Sequence, residues 1–185
     1  YYEDKTGAHS LSSAMLPTMI DLLPGPARAA MRRPKKLPKG AEIKHRYATA
    51  IPIGTAIAQS FSLSLAESCG DIVGDEMERF GIHLWLAPAL NINRSILCGR
   101  NFEYFSEDPL VSGLTAAAIT RGVQKHPGRG VTIKHFAANN QETNRYNNNS
   151  NVSQRALREI YLRGFGLCIR ESQPRAVMTS YNLIN

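Results

Sequence analysis

Two patterns of apolar and polar positions alternate along the chain from residue 48 onward. Short continuous apolar runs, typical of buried strands, are separated by segments in which apolar residues recur every three to four positions, typical of helices that face a core. The runs predict strands over 48–59, 82–90, 131–138 and 174–185. The periodic segments predict helices over about 61–80, 109–125 and 154–171. This alternation of strands and helices favours an α/β fold built on a parallel sheet.

Capping residues support the predicted helix ends. Asp108 precedes Pro109, and an N-cap acid followed by proline at the first helical position is a common helix start. Ser153 is placed to cap the last helix, and Gly81 suits the position just after the first one.

The loops that follow the predicted strands are long and polar, while the turns that precede them are short. In a (β/α)8 barrel the loops after the strands form the active face, and an open doubly wound sheet places its site at the same strand ends. The chain contains neither a GxGxxG nor a GxxxxGK[ST] turn, which argues against a nucleotide site.

The first 47 residues differ from the rest, because prolines interrupt every short apolar stretch. The net charge of the 185-residue chain is +7, and the excess comes from a cluster opposed only by Glu42. Its cations are Arg28, Arg32, Arg33, Lys35, Lys36, Lys39, Lys44 and Arg46. A nucleic-acid patch is one reading of such a cluster, but no aromatic residues are interleaved with it. We interpret residues 1–47 as an irregular, basic, proline-rich arm or insertion, and residues 48–185 as the main domain.

Composition narrows the class of protein. Apolar residues make up 43% of the chain and charged residues 20%, as in a globular domain. No apolar run is long enough to cross a membrane. Cys69, Cys98 and Cys168 have no metal-ligand spacing, so we expect buried thiols, no metal site and, with no leader in view, a cytoplasmic location.

Many hydrogen-bonding side chains follow the predicted strands. They are Asn91, Asn93, Arg94, Arg100, Asn101 and Glu103, then Lys134, His135, Asn139, Asn140, Glu142 and Arg145, and finally Tyr181, Asn182 and Asn185. Each alone could be a satisfied strand end or a solvated loop. If the strands are parallel, however, all of them meet at one rim that suits a neutral ligand rich in hydroxyls, such as a sugar. Phosphate would also suit Arg and Lys, but it usually requires glycine amides as well.

Four segments of the chain carry a family resemblance. "CGRNFEYFSEDP", "TIKHFAANNQETNR", "RALREIYLRGF" and "AVMTSYNLIN" resemble glycoside hydrolase family 3, the β-glucosidase-like enzymes, in the same order. The resemblance runs from about Ala48 to Asn185. It implies a partial (β/α)8 TIM-like barrel of about three to four βα units, taken from the N-terminal catalytic barrel domain of that family.

The resemblance also implies a function and a set of binding residues. Members of the family hydrolyse β-linked glucosides and related sugars from the non-reducing end with retention, and they need no cofactor. By motif, the residues that grip the sugar are Arg100, Lys134, His135, Arg145 and Tyr181. The implied partner is a carbohydrate, with no nucleic acid and no membrane.

The chain departs from the family pattern at several points. The resemblance places the nucleophilic Asp beyond Asn185 and the acid/base Glu in a later domain, so we expect the 185-residue chain to be inactive by itself. Position 93 is Asn where the family usually has His. A partial barrel would leave strand edges exposed, which favours self-association. The alternative is a non-catalytic carbohydrate-binding or scaffold module.

Overall fold

A computed structural model describes residues 47–185 and three short strands that precede them. Strand β1 (Tyr2–Glu3) pairs antiparallel with both β2 (His9–Ser10) and β3 (Glu42–Ile43). Apart from these strands, the predicted basic arm over residues 1–47 lies outside the described residues. The chain divides into two compact units, Tyr1–Ala48 and Thr49–Asn185, and everything below concerns the second.

Three parallel strands form the sheet of this unit. They are β4 (Leu84–Trp85), β5 (Gly130–Phe136) and β7 (Ala176–Thr179), and they lie side by side in chain order. A parallel bridge between Ala89 and Lys134 extends the first pairing. Sequential order without a reversal is the order of strands in a (β/α)8 barrel and within one half of a doubly wound sheet.

Two helices begin and end close to their predicted positions. Helix α2 (Leu63–Phe80) is capped by the Ser62 hydroxyl and ends at Gly81, whose φ of 69° is left-handed. Helix α3 (Pro109–Gln124) begins where the Asp108 carboxylate accepts a hydrogen bond of 2.7 Å from the amide of Leu110. Both caps satisfy backbone groups that a helix end leaves free.

The predicted strand over 48–59 is wrong. Helix α1 (Gly54–Gln59) occupies its second half. Its sequence, "GTAIAQ", contains two alanines, the residue with the highest helix propensity, and the apolar run concealed this preference. The Thr55 hydroxyl then ties α1 to the carbonyls of Asn101 and Tyr104, at 2.7 and 2.9 Å.

Two other predicted elements are shorter or interrupted. Only Leu84–Trp85 of the run 82–90 is a regular strand, and the run 174–185 divides into β7 and β8 (Leu183–Ile184), which pairs in parallel with β6 (Asn149–Ser150).

The last predicted helix is divided into three parts. Ser153 caps α4 (Gln154–Ala156), a π-helical segment follows over Leu157–Tyr161, and α5 (Arg163–Ser172) completes it.

The core lies between the sheet and the helices. Val131 and Ile133 of β5 are fully buried against α2, α3 and α5. The three cysteines are buried and unpaired, as the sequence predicts. This packing holds the carboxyl ends of the strands, and therefore the loops that follow them, at one rim. Among the described residues, no helix is long and apolar enough to cross a membrane.

Candidate functional site

Polar side chains join the loops that follow β4, β5 and β7. The Asn140 amide donates a hydrogen bond of 2.7 Å to the carbonyl of Ile92, which links the second loop to the first. The Asn182 amide donates to the carbonyl of Ala137 at 3.1 Å, which links the third loop to the second. The three loops are therefore fixed against one another by side-chain to backbone bonds.

A chain of alternating charges runs along this rim. Glu103 binds the Nε of Arg100 on one side and lies 3.5 Å from the Nζ of Lys134 on the other. Glu142 lies 2.9 Å from the Nη1 of Arg145 and 3.8 Å from the Nη1 of Arg100. We call these five residues the cation network. Three cations against two carboxylates leave one net positive charge.

The electrostatics of the cation network keep Glu103 ionised. Burial by itself would raise the pKa of Glu103, but the hydrogen bond from Arg100 and the charges of Lys134 and Arg100 outweigh it and lower the pKa. The same contact raises the pKa of Arg100 against the effect of burial. A carboxylate held in this way is a poor proton donor at neutral pH.

His135 is buried beside the network, with 5% of its surface exposed. Its backbone amide donates to the Asn91 Oδ1 at 2.8 Å, and the ring of Tyr104 stands edge-on at 6.4 Å between centroids. Burial and the nearby Arg100 and Lys134 charges lower the pKa of His135 to about 4. The imidazole is therefore neutral at physiological pH.

Two tyrosines close the outer end of the network. The ring centroids of Tyr146 and Tyr181 are 4.7 Å apart. The Arg145 guanidinium lies 4.9 Å from the Tyr181 ring and 5.2 Å from the Tyr146 ring, within cation–π range. Both tyrosines are exposed, and the Tyr146 hydroxyl accepts a hydrogen bond of 3.4 Å from the Nη2 of Arg145.

All five side chains expected at the sugar site lie on this rim, in or against the cation network. The structure adds three groups whose roles the sequence did not indicate. Glu142 bridges two guanidinium groups, Tyr104 receives a hydrogen bond of 3.1 Å from Asn139, and Tyr146 stacks beside Arg145. The signal for all three was their place inside the same polar loops.

Other polar residues of the predicted rim serve the loops themselves. Asn101 donates to the carbonyl of Ser95 at 2.7 Å, and Asn185 exchanges hydrogen bonds with the backbone of Val152. Arg94 is exposed and has no ion pair in the described part of the chain. These residues shape the rim without joining the cation network.

A cavity of about 240 Å³ lies beside the rim, between α1, β4 and the loop after β4. Its lining is almost wholly apolar, and Glu103 is the charged residue at its edge. Within residues 47–185, no group of three His, Cys, Asp or Glu side chains is placed to hold a metal ion.

A family model and curated relatives match this chain. The model described as the glycosyl hydrolase family 3 N terminal domain covers residues 37–185. A beta-glucosidase of Ruminococcus albus is 49% identical over 138 residues, which are 75% of this chain and 14% of the relative. Beta-glucosidase A of Butyrivibrio fibrisolvens is 44% identical over 137 residues, 74% of this chain and 16% of the relative. The chain thus spans a small part of the proteins it matches.

Solved structures give the same result. Beta-glucosidase 3B from Thermotoga neapolitana, in complex with glucose, superposes with a TM-score of 0.74 and 49% identity over 77% of this chain and 20% of that one. A GH3 beta-glucosidase from Bifidobacterium adolescentis gives 0.72 and 43%, over 74% of this chain and 20% of that one. The prediction of an α/β fold that is part of a (β/α)8 barrel is confirmed.

Proposed function

Because the chain belongs to glycosyl hydrolase family 3, we propose that its rim is the sugar-gripping part of a retaining β-glycosidase. The substrate would be a β-linked glucoside or related sugar, cleaved from the non-reducing end. The observation that carries the proposal is the convergence of Arg100, Lys134, His135, Arg145 and Tyr181 on one rim. The relatives named beta-glucosidases, and the glucose bound to a solved neighbour, support it.

The rim suits a neutral ligand with many hydroxyls. Arg100, Lys134 and Arg145 offer fixed donors, Tyr181 can donate or accept, and neutral His135 adds a ring nitrogen. Glu103 and Glu142 hold the cations in place, so little reorganisation is required when a sugar binds. Hydrogen bonds that become stronger in the transition state convert binding energy into rate, and fixed donors also orient the sugar.

The reacting carboxylates are expected from outside this chain. A retaining glycosidase requires one carboxylate as nucleophile and a second carboxyl as acid and then base. At this rim Glu103 and Glu142 both form ion pairs with the cations of the network. The isolated chain should therefore bind a sugar without hydrolysing it, as a non-catalytic binding module would.

The test is a titration of the purified chain with glucose, followed by NMR. Removal of the Lys134 ammonium in Lys134→Met should weaken binding by roughly tenfold, since a hydrogen bond from a charged group is lost. Arg155→Met is the matched control, because Arg155 is exposed and its ion-pair partner among the described residues is Glu159. A wild-type chain that does not bind glucose, or equal affinity in both variants, would overturn the proposal.

A second assay tests the origin of the carboxylates. The chain is incubated with aryl β-D-glucoside, xyloside and N-acetylglucosaminide, and no turnover is expected. Turnover that disappears in Glu103→Gln or Glu142→Gln would place a reacting carboxylate within this chain.

A further inference from the structure

The buried Asn91 amide has only one possible orientation. Its Nδ2 lies 2.9 Å from the carbonyl oxygen of His135, which can only accept a hydrogen bond. Its Oδ1 lies 2.8 Å from the backbone amide of His135, which can only donate. These two backbone partners assign the oxygen and nitrogen of the side chain without ambiguity.

That orientation determines which ring nitrogen of His135 carries the proton. The Nδ1 lies 3.2 Å from the same Asn91 Oδ1. An amide oxygen cannot donate, so the Nδ1 must be the donor in this contact. The oxygen has two lone pairs and can accept from the backbone amide and the ring together.

The other ring nitrogen is left as an acceptor. In neutral imidazole only one nitrogen is protonated, so a proton on Nδ1 leaves a lone pair on Nε2. Among the described residues, none forms a hydrogen bond with Nε2. The nearby Arg100 and Lys134 cations oppose a second proton on the ring.

We propose that Asn91 is a positioning residue that holds His135 as its Nδ1–H tautomer, so that Nε2 accepts a hydrogen bond from a ligand hydroxyl. The ligand part of this statement rests on the function proposed above. The tautomer part concerns the chain alone. At this rim of donors, His135 then supplies an acceptor, which lets it distinguish a hydroxyl from groups that cannot donate.

The direct test is ¹⁵N NMR of the histidine rings in the wild-type chain at neutral pH. His135 is assigned by the loss of its signals in His135→Gln. The expected result is a pyrrole-type, protonated Nδ1 and a pyridine-type Nε2. A protonated Nε2 would overturn the proposal, whether or not the chain binds a sugar.

Variants test whether Asn91 is the cause. Asn91→Ala removes the acceptor and should shift the His135 signals towards the Nε2–H form. Asn91→Asp keeps an acceptor at Nδ1, so the Nδ1–H signature should remain, while the new carboxylate raises the pKa of His135. Asn147→Ala is the control, since Asn147 is exposed and its side chain bonds Asn144. If Asn91→Ala folds and His135 keeps its Nδ1–H tautomer, Asn91 is not a positioning residue. If Asn91→Ala does not fold, Asn91→Asp decides, and loss of the Nδ1–H form in that variant contradicts the positioning role.

A glucose analogue series tests the ligand part. At the hydroxyl that donates to Nε2, replacement by fluorine should weaken binding as much as replacement by hydrogen, because fluorine cannot donate. If binding survives replacement by fluorine at every hydroxyl whose replacement by hydrogen weakens it, then no hydroxyl of the sugar needs to donate, and His135 does not act as an acceptor. Absence of binding by glucose itself would count against the proposed function and leave the tautomer result standing.

Discussion

At the scale of single residues, Glu142 is one of the side chains that connect two loops. Its carboxylate contacts Arg145 in its own loop and Arg100 in the loop after β4. The amide of Asn139 also donates to it at 3.0 Å. Glu142 therefore helps to fix two guanidinium groups, together with Glu103, which also binds Arg100.

Glu142→Gln should therefore weaken glucose binding by roughly tenfold, or about 1.4 kcal/mol, because an uncharged amide cannot hold two cations. Glu159→Gln removes an exposed carboxylate from a helix pair and should leave the affinity unchanged. The measurement is the same NMR titration. Equal dissociation constants for the two variants would show that Glu142 does not organise the rim.

Two histidines should give the unfolding free energy opposite dependences on pH. The pKa of His135 is lowered from 6.5 to about 4, so the unfolded state takes up a proton first. The contribution of His135 to the free energy of unfolding is complete above about pH 6.5 and is lost as the pH falls towards 4. For His126, burial lowers the pKa but hydrogen bonds to Asp71 and Glu78 raise it above 6.5. Its contribution is present below 6.5 and is lost as the pH rises through the raised value.

Urea unfolding across this pH range checks both signs. His135→Gln should flatten the dependence on the acid side, and His126→Gln should flatten it on the alkaline side. Each variant is the control for the other. A slope that His135→Gln leaves unchanged between about pH 4 and 6.5 would contradict a neutral, buried imidazole.

At the scale of elements, helices α2 and α3 meet through their backbones. A Cβ added at Gly122 would meet the carbonyl of Glu67 and lie 2.7 Å from the amide of Asp71. A Cβ at Gly70 would meet the carbonyl of Ile119 from the other side. These glycines allow an approach that any side chain would prevent.

Gly122→Ala should lower the free energy of unfolding by about 1–3 kcal/mol, because the helices must separate or distort. Gly166→Ala is the matched comparison. It lies in α5, has nothing within 4 Å of an added Cβ, and should stabilise the chain by about 0.5–1 kcal/mol through helix propensity. Urea unfolding of both variants gives the signs, and the same sign for both would refute the close contact.

The sequence predicted elements well where the signal was local. Asp108 and Pro109 marked the start of α3 because cap and proline act within one turn. The strand over 48–59 failed because its apolar run says nothing about Thr55, whose hydroxyl bonds to carbonyls 46 and 49 residues away.

The same limit applies to the site. Lys134 and Tyr181 could be named as expected sugar-binding residues from the motifs that resemble the family, because a motif gives a position without reference to its distant contacts. The link from Glu142 to Arg100 could not be predicted, because it depends on how two loops 42 residues apart are placed (142 − 100). The bond from Asn91 to His135 is of the same kind.

At the scale of the whole molecule, apolar surface and a strand edge remain exposed. Strand β7 pairs with β5 on one side and with no other strand of the described residues on the other. Val177 on this strand is 46% exposed, and Leu183 in β8, which follows β7 in the chain, is 67% exposed. An open edge of this kind is a template for pairing with another chain.

The isolated chain is therefore expected to self-associate as its concentration rises, which sedimentation velocity will show. Val177→Lys places a charge at the open edge and should reduce the association. Ile96→Lys is the control, because Ile96 is 95% exposed but lies in the loop after β4. A chain that stays monomeric at all concentrations would show that the open edge of β7 does not mediate association.

The spacing of the cation network along the chain has a consequence for protein synthesis. Arg100 leaves the ribosome 81 residues before Tyr181 (181 − 100), which is roughly 4–16 s at common rates of translation. Arg100 and Arg145 each have a carboxylate three residues away, in Glu103 and Glu142. Each nascent loop therefore carries its own counter-charge as soon as it is made, and Tyr181, which has no charge, is the last of the five rim residues to be made.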